Sequence, residues 1–201
     1  MSTLTFFNLD YIIDRFGCKV FVETGLGDGN GIAFASKYPF EWLFSSEIDE
    51  KTASRFKNCL MRYLPRKERI IVGVDRSVNF LQNLLPKLCE ADSILFWLDA
   101  HFPGSNNGKD YLFEKDKSIR FPLEQEIEII NEIRPNNKDV IIIDDLRVYK
   151  KGNCDEKNSL EECGLDYISH YDNKIFDKLK PRFQLYEINL DTGYLVCFPK
   201  K

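Results

Sequence analysis

The sequence has no apolar run near the roughly 20 residues that a membrane-spanning helix needs. Its opening stretch, MSTLTFFNLDYIIDRFG, lacks a basic start and carries acids within its apolar part, so it does not read as a secretory signal. Basic residues are not in excess: 28 Lys and Arg stand against 32 Asp and Glu, a formal net charge of −4. That balance argues against the broad basic face that nucleic-acid binding usually needs. A local cluster at Arg62, Arg66, Lys67 and Arg69 reads as a solvated charged loop. No CxxC pair occurs among the six cysteines (Cys18, Cys59, Cys89, Cys154, Cys163 and Cys197). Cys18 and Cys197 read as small core residues, and Cys154 and Cys163 as a pair, a metal site or free thiols. Free thiols in a reducing cytosol are the expectation, hence a cytoplasmic chain. There is no internal repeat or low-complexity linker, so residues 1–201 read as one domain.

The patterning alternates strand with helix. FFNLDYIIDRF carries a helical apolar stripe that Gly17 ends, and KVFVET is a short β-rich run. A helix is predicted from about Asn30 to Tyr38, a second strand at EWLFSSEID, and a helix at EKTASRFKNCLMRYL. RIIVGV, SILFWLDA and DVIIIDD are strands three to five, with helices at SVNFLQNLLPKLCE and at PLEQEIEIINEI, which Pro122 opens. NKIFDKLK is helical, and FQLYEINLDTGYLVCF reads as a β-hairpin about LDTG. Strands apolar on both faces imply a parallel sheet covered on both sides, with its site at the carboxyl ends of the strands. Glu23, Glu47, Asp75, Asp99, Asp144 and Asp145 all fall there.

VFVETGLGDGNGIAFA sets Gly25, Gly27, Gly29 and Gly31 at alternate positions between a strand and a helix start. The P-loop lysine is absent, and GxGxGxG is not the GxGxxG of dinucleotide binding. Glu23 beside the loop would repel a pyrophosphate but suits a cationic amine. Loop and acid together resemble motif I of the class I S-adenosylmethionine-dependent methyltransferases. Glu47 ends the second strand, where a carboxylate can accept both ribose hydroxyls, as the family's acid does. The resemblance then puts Ile48 against the adenine and Asp75, Arg76 and Ser77, in VGVDRS, near it. It implies S-adenosylmethionine as cofactor, held by Glu23, Thr24, Gly25, Gly27, Gly29, Gly31, Glu47, Ile48, Asp75, Arg76, Ser77 and Asp99. The fold it implies is a Rossmann-like three-layer α/β/α sandwich, a mostly parallel seven-stranded sheet with an antiparallel C-terminal hairpin.

LDAHFPG and IIIDDLR bring Asp99, Asp144 and Asp145 to adjacent strand ends, an oxygen set suited to Mg²⁺ or another divalent cation. The alternative is that Asp144 caps the next helix and Asp145 pairs with Arg147. The trio resembles that of metal-dependent O-methyltransferases acting on sugars and natural products. That likeness implies natural-product or surface-polysaccharide modification. His101, two residues past Asp99, is the candidate base for a hydroxyl nucleophile, or a metal ligand. His170 has no comparable company. Glu124 and Arg147 are candidate acceptor contacts, though an acid in a first helical turn is also favoured by the dipole. The long polar segments 102–120 and 150–170 read as loops covering the acceptor, the first offering Lys109, Tyr111 or Arg120.

The expectation is a methyltransferase acting on a small polar acceptor, a sugar, glycan precursor or related metabolite. No nucleic-acid or membrane partner is expected, and a homodimer is left open. Metal-free methylation with His101 as the only base, a non-catalytic nucleotide-binding module and an NAD-linked oxidoreductase are the rival readings.

Overall fold

β-Branched and aromatic runs become strands close to where the sequence places them. In this computed structural model, which describes residues 4–88, 92–101, 117–149 and 174–200, β1 spans Cys18–Thr24, β2 Trp42–Glu47 and β3 Ile70–Val74. β4 spans Ser93–Leu98, β5 Val140–Ile143, β6 Phe183–Ile188 and β7 Tyr194–Pro199. They form a seven-stranded sheet in the order β3-β2-β1-β4-β5-β7-β6. β1 to β5 run parallel. β7 lies antiparallel to both β5 and β6. The expected parallel sheet with an antiparallel terminal hairpin is therefore the one observed.

The helices are α1 (Leu9–Phe16), α2 (Asn30–Ala35), α3 (Glu50–Arg55), α4 (Ser77–Leu84), α5 (Lys117–Arg120), α6 (Leu123–Ile133), α7 (Leu146–Tyr149) and α8 (Lys174–Leu179). Asn8 caps α1 by accepting from the Tyr11 amide, and Gly17, at φ 67°, closes it in the left-handed region. Several expected helices are shorter than the periodicity suggested, α4 among them, which ends at Leu84 in a 3-10 turn. α2 stops at Ala35 instead of Tyr38. α3 gives way after Arg55 to a π turn over Phe56–Leu60 and a 3-10 turn over Met61–Tyr63.

Period-two alternation along the strands sorts the core into two layers. Val20, Val22, Phe96, Leu98, Ile141 and Ile143 pack with Leu81 of α4, Ile127 and Ile130 of α6 and Leu179 of α8. Phe21, Leu43, Leu95, Trp97 and Ile142 pack on the other face with Leu9 and Ile12 of α1, Ile32 of α2 and Ala53 of α3. The edge strand departs from this pattern. On β3, Ile70 and Val72 are buried on one face, while Ile71 on the other and Val74 at the strand end are each 46% exposed.

The chain runs β1, β2, β3 toward one edge and then returns to place β4 beside β1. The crevice at their carboxyl ends is the topological switch point, where ligands bind in open α/β sheets. Among the described residues no helix is long and apolar enough to cross a membrane. Cys89, Lys109, Tyr111, Cys154, Cys163, His170 and most of both expected covering loops lie outside the described residues.

Candidate active site

The loop from β1 into α2 is shaped mainly by contacts within the protein. A Cβ on Gly25, at φ 81°, would stand 2.3 Å from the Asp99 carbonyl oxygen, so β1 and β4 meet here backbone to backbone. A Cβ on Gly31 would stand 2.1 Å from Glu23 Oε1, with the Trp97 indole just beyond. Gly29 clears the Phe56 ring that the π turn carries inward. Gly27 alone of the four has nothing within 4 Å of its missing side chain.

A cavity of about 350 Å³ opens against this loop at the switch point. Such a volume lies within the roughly 300–1,000 Å³ of small-molecule clefts. Ten of the twelve residues expected to hold the donor line it: Glu23, Gly25, Gly27, Gly31, Glu47, Ile48, Asp75, Arg76, Ser77 and Asp99. The other two, Thr24 and Gly29, stand behind the wall. Thr24 is buried at the end of β1 and accepts the Asp99 amide at 3.3 Å. His101 lines the cavity, whereas Asp144 and Asp145 do not. Ser46, Asn30, Ser118, Ile119 and Gln125 are lining residues that carry no motif signal.

Two acids buttress the loop from different sides. Glu47 accepts the Gly27 amide at 2.9 Å through Oε2 and the Asp49 amide at 2.9 Å through Oε1. Its carboxylate thus faces the cavity while tethering the open turn. Glu23 is 1% exposed and accepts the Ser45 hydroxyl at 2.5 Å. Burial is the largest influence on its pKa and raises it to about 8, against hydrogen bonds from Ser45 and the Ile32 amide.

His101 is held by residues of the neighbouring strand. Its Nε2 lies 2.6 Å from Asp145 Oδ2, and its Nδ1 lies 3.8 Å from Asp99 Oδ1. Burial disfavours the imidazolium, but Asp145, then Asp144 and Glu126, outweigh it and hold the pKa above the usual histidine value. The Tyr149 ring stands edge-on to the imidazole at 5.9 Å. Asp145 has φ 51°, in the left-handed region that a side chain rarely adopts. Asp144 turns elsewhere: its Oδ1 accepts the Asp145 amide and the Thr192 hydroxyl. Among the described residues, no group of three or more His, Cys, Asp or Glu side chains is placed to hold a metal ion. As arranged here, Asp99, Asp144 and Asp145 do not fit a cation cage, and Asp145 carries the imidazole instead.

Glu124 forms an ion pair with Lys178, which also reaches Glu128, so it braces α6 against α8. Arg120 is buried beside Phe121 and is not a lining residue. Glu126, two residues beyond Glu124, is a buried acid near His101 that the motifs did not reveal. It is 1% exposed, and burial raises its pKa to about 7.

No family model matches the chain, and no curated protein matches it. Solved structures do. An O-methyltransferase from Bacillus cereus in complex with S-adenosylhomocysteine (SAH) aligns with a TM-score of 0.58 at 12% identity, over 96% of this chain and 79% of that one. A Podospora anserina methyltransferase with SAH bound gives 0.60 at 14% identity, over 95% and 76%. A Streptomyces achromogenes O-methyltransferase of tomaymycin synthesis, in complex with SAM, gives 0.54 at 12% identity, over 96% and 78%. The chain has the Rossmann-like fold of the class I methyltransferases. At these identities the likeness establishes architecture, and the reaction has to be argued from the site.

Proposed function

We propose that the chain transfers a methyl group from S-adenosylmethionine to a hydroxyl of a small polar acceptor, with His101 as general base. The observation that carries this is the character of the cavity. Among the described residues, the acids Asp28, Glu47, Asp75 and Asp99 line it against one guanidinium, Arg76, and the His101 imidazole, while the Glu23 carboxyl beside them is buried. Such a lining disfavours the pyrophosphate of NAD and suits a nucleoside bearing a positive charge. Glu47, on the cavity wall, is the residue this reading assigns to the ribose hydroxyls, in exchange for or beside the Gly27 amide it holds. Of the three solved structures named above, two hold SAH and one holds SAM, which supports the same donor.

The donor supplies a methyl group on a sulfonium that departs as a neutral thioether. The chain has to align the acceptor oxygen with that methyl group and remove one proton, and alignment contributes much of the acceleration. Asp145 accepts Nε2–H of His101, which fixes the tautomer and leaves Nδ1 to take the acceptor's proton. The neutral imidazole is the working form, so turnover rises with pH through a pKa above the usual histidine value. No step is assigned to a divalent cation. A sugar, glycan precursor or related metabolite is the acceptor class that this reading favours. The described cysteines Cys18, Cys59 and Cys197 are free thiols, in keeping with a reducing cytosol.

Calorimetric titration with SAH and then with NAD tests the donor. Saturable binding of SAH and none of NAD is the expected result. NAD binding without SAH binding would replace this reading with the oxidoreductase one.

A further inference from the structure

The two edges of the sheet are built differently. An edge strand shows a row of unpaired N–H and C=O groups, which proteins usually blunt with lysine, proline, charge or a bulge. β6, at one edge, carries exposed Gln184 and Glu187 along its length. β3, at the other, reads Ile70-Ile71-Val72-Gly73-Val74, in unbroken register with β2 and with none of these devices. Among the described residues β2 is its one neighbour in the sheet. The surface on this side is apolar as well. Of the ten large apolar side chains exposed among the described residues, six (Trp42, Ile48, Leu60, Tyr63, Ile71 and Val74) belong to β2, β3 or the segment between them. Ile71 is the register partner of Phe44, whose ring stacks on Trp42 at 6.4 Å, so two of the six share one face. Charges flank the strand at both ends: Glu68 and Arg69 precede it, and Asp75 and Arg76 follow.

We propose that β3 pairs antiparallel with β3 of a second copy of this chain, joining two sheets about a two-fold axis at Val72. The flanking charges select both the occupant and the register. With Val72 opposite its own copy, Arg69 falls opposite Asp75 and Glu68 opposite Arg76, and the symmetry forms each of these opposite-charge pairs twice. Ile70 falls opposite Val74. Ile71 falls opposite Gly73, where a Cβ would stand 2.8 Å from the Phe80 ring, so the exposed isoleucine gains an aromatic neighbour. A slip by one residue would turn every side chain to the wrong face. A slip by two sets Ile71 against Asp75 in one direction and Glu68 against Val74 in the other, and breaks both charge pairs. Asp75 and Arg76 line the cavity, so Glu68 and Arg69 of the second copy stand at its rim. The pairing does not depend on which donor the cavity takes.

Sedimentation velocity of the full chain over a concentration series, with a thermal melt of each variant, tests this. Wild type is expected to form a dimer of two 23.5 kDa chains. I71K sets a charge in the middle of the edge at an exposed position, so it should melt like wild type and stay monomeric throughout the series. E68R and R76E each place like charges opposite one another twice over, and each should raise the dissociation constant about tenfold. The E68R/R76E double variant restores opposite signs and should return it close to the wild-type value. Q184K, on the opposite edge, should leave the dimer unchanged. Wild-type chain that is monomeric throughout the series overturns the proposal. A dimer that survives I71K, or one lost in Q184K, puts the contact on another face and overturns it as well. So do losses that simply add in the double variant, because Glu68 and Arg76 then do not meet. Should I71K melt well below wild type, the charge swap, made on exposed side chains, carries the test.

Discussion

Glu23 makes the stability of this fold depend on pH in a direction opposite to that of an ordinary salt-bridged acid. Its carboxyl is 1% exposed beneath the glycine loop, and burial raises its pKa from 4.5 to about 8. Between those two values the folded chain keeps a proton that the unfolded chain releases. The native state then binds more protons than the unfolded state, so stability falls as pH rises through this window. For one group with these pKa values, the loss between pH 6 and pH 8.5 is on the order of 2–3 kcal/mol. In a chain of this size that corresponds to a fall in Tm of about 5–10 °C. Glu126, with a pKa of about 7, and Asp144, with one of about 6, act in the same sense. The wild-type fall therefore exceeds the share of Glu23.

Glu23→Gln isolates that share. The amide keeps an oxygen to accept the Ser45 hydroxyl or the Ile32 amide, and it does not ionise. Thermal melts at pH 6 and pH 8.5 should show the variant losing roughly 2–3 kcal/mol less than wild type, with E23Q the more stable protein at pH 8.5. Parallel pH dependence in the two proteins would refute the reasoning, because Glu23 would then be ionised inside the fold at neutral pH.

Glu47→Ala removes both the tether on Gly27 and the acceptor proposed for the ribose, and should weaken SAH binding by at least about tenfold in calorimetry. His101→Ala should lower turnover by about 10²–10⁴-fold, the usual share of a general base, while SAH affinity stays close to wild type. Asp145→Gly relieves a left-handed backbone and removes the anion on His101, so the melting temperature should hold or rise while the acid limb of the rate profile moves to lower pH. Dialysis against a chelator should leave turnover unchanged; loss on chelation with recovery in Mg²⁺ would show that the carboxylates gather around a cation when the acceptor binds.

Much of this architecture was legible because it is written in local periodicity. Alternating apolar strands, helix stripes and glycine punctuation sufficed for the sheet, its antiparallel end and the row of strand-end acids. The partners of those acids were not legible, because they are set by contacts across the sheet. Asp145 reads equally well as a cation ligand, a partner for Arg147 or the anion on His101, and only the adjacency of β4 and β5 joins residues 44 positions apart. Glu124 and Glu126 look alike as acids in a first helical turn. The stripe Leu123, Ile127 and Ile130 separates them: Glu126 falls on the apolar face and Glu124 beside it. That signal is present in the sequence.

The glycine loop makes a broader point about such motifs. A bare main chain at alternate positions suggests a ligand that approaches closely, yet here Gly25, Gly29 and Gly31 each clear a piece of the protein itself: the Asp99 carbonyl, the Phe56 ring and the Glu23 carboxyl. Those three are needed to seat α2 against β1, β4 and the π turn, whatever occupies the crevice. Only Gly27 is open, and its amide is held by Glu47. The repeat is therefore a signature of how helix and sheet meet, which is why it marks the fold so well. The choice of donor rests on the carboxylates around the opening, and above all on whether Glu47 can release or share the Gly27 amide when a ribose arrives.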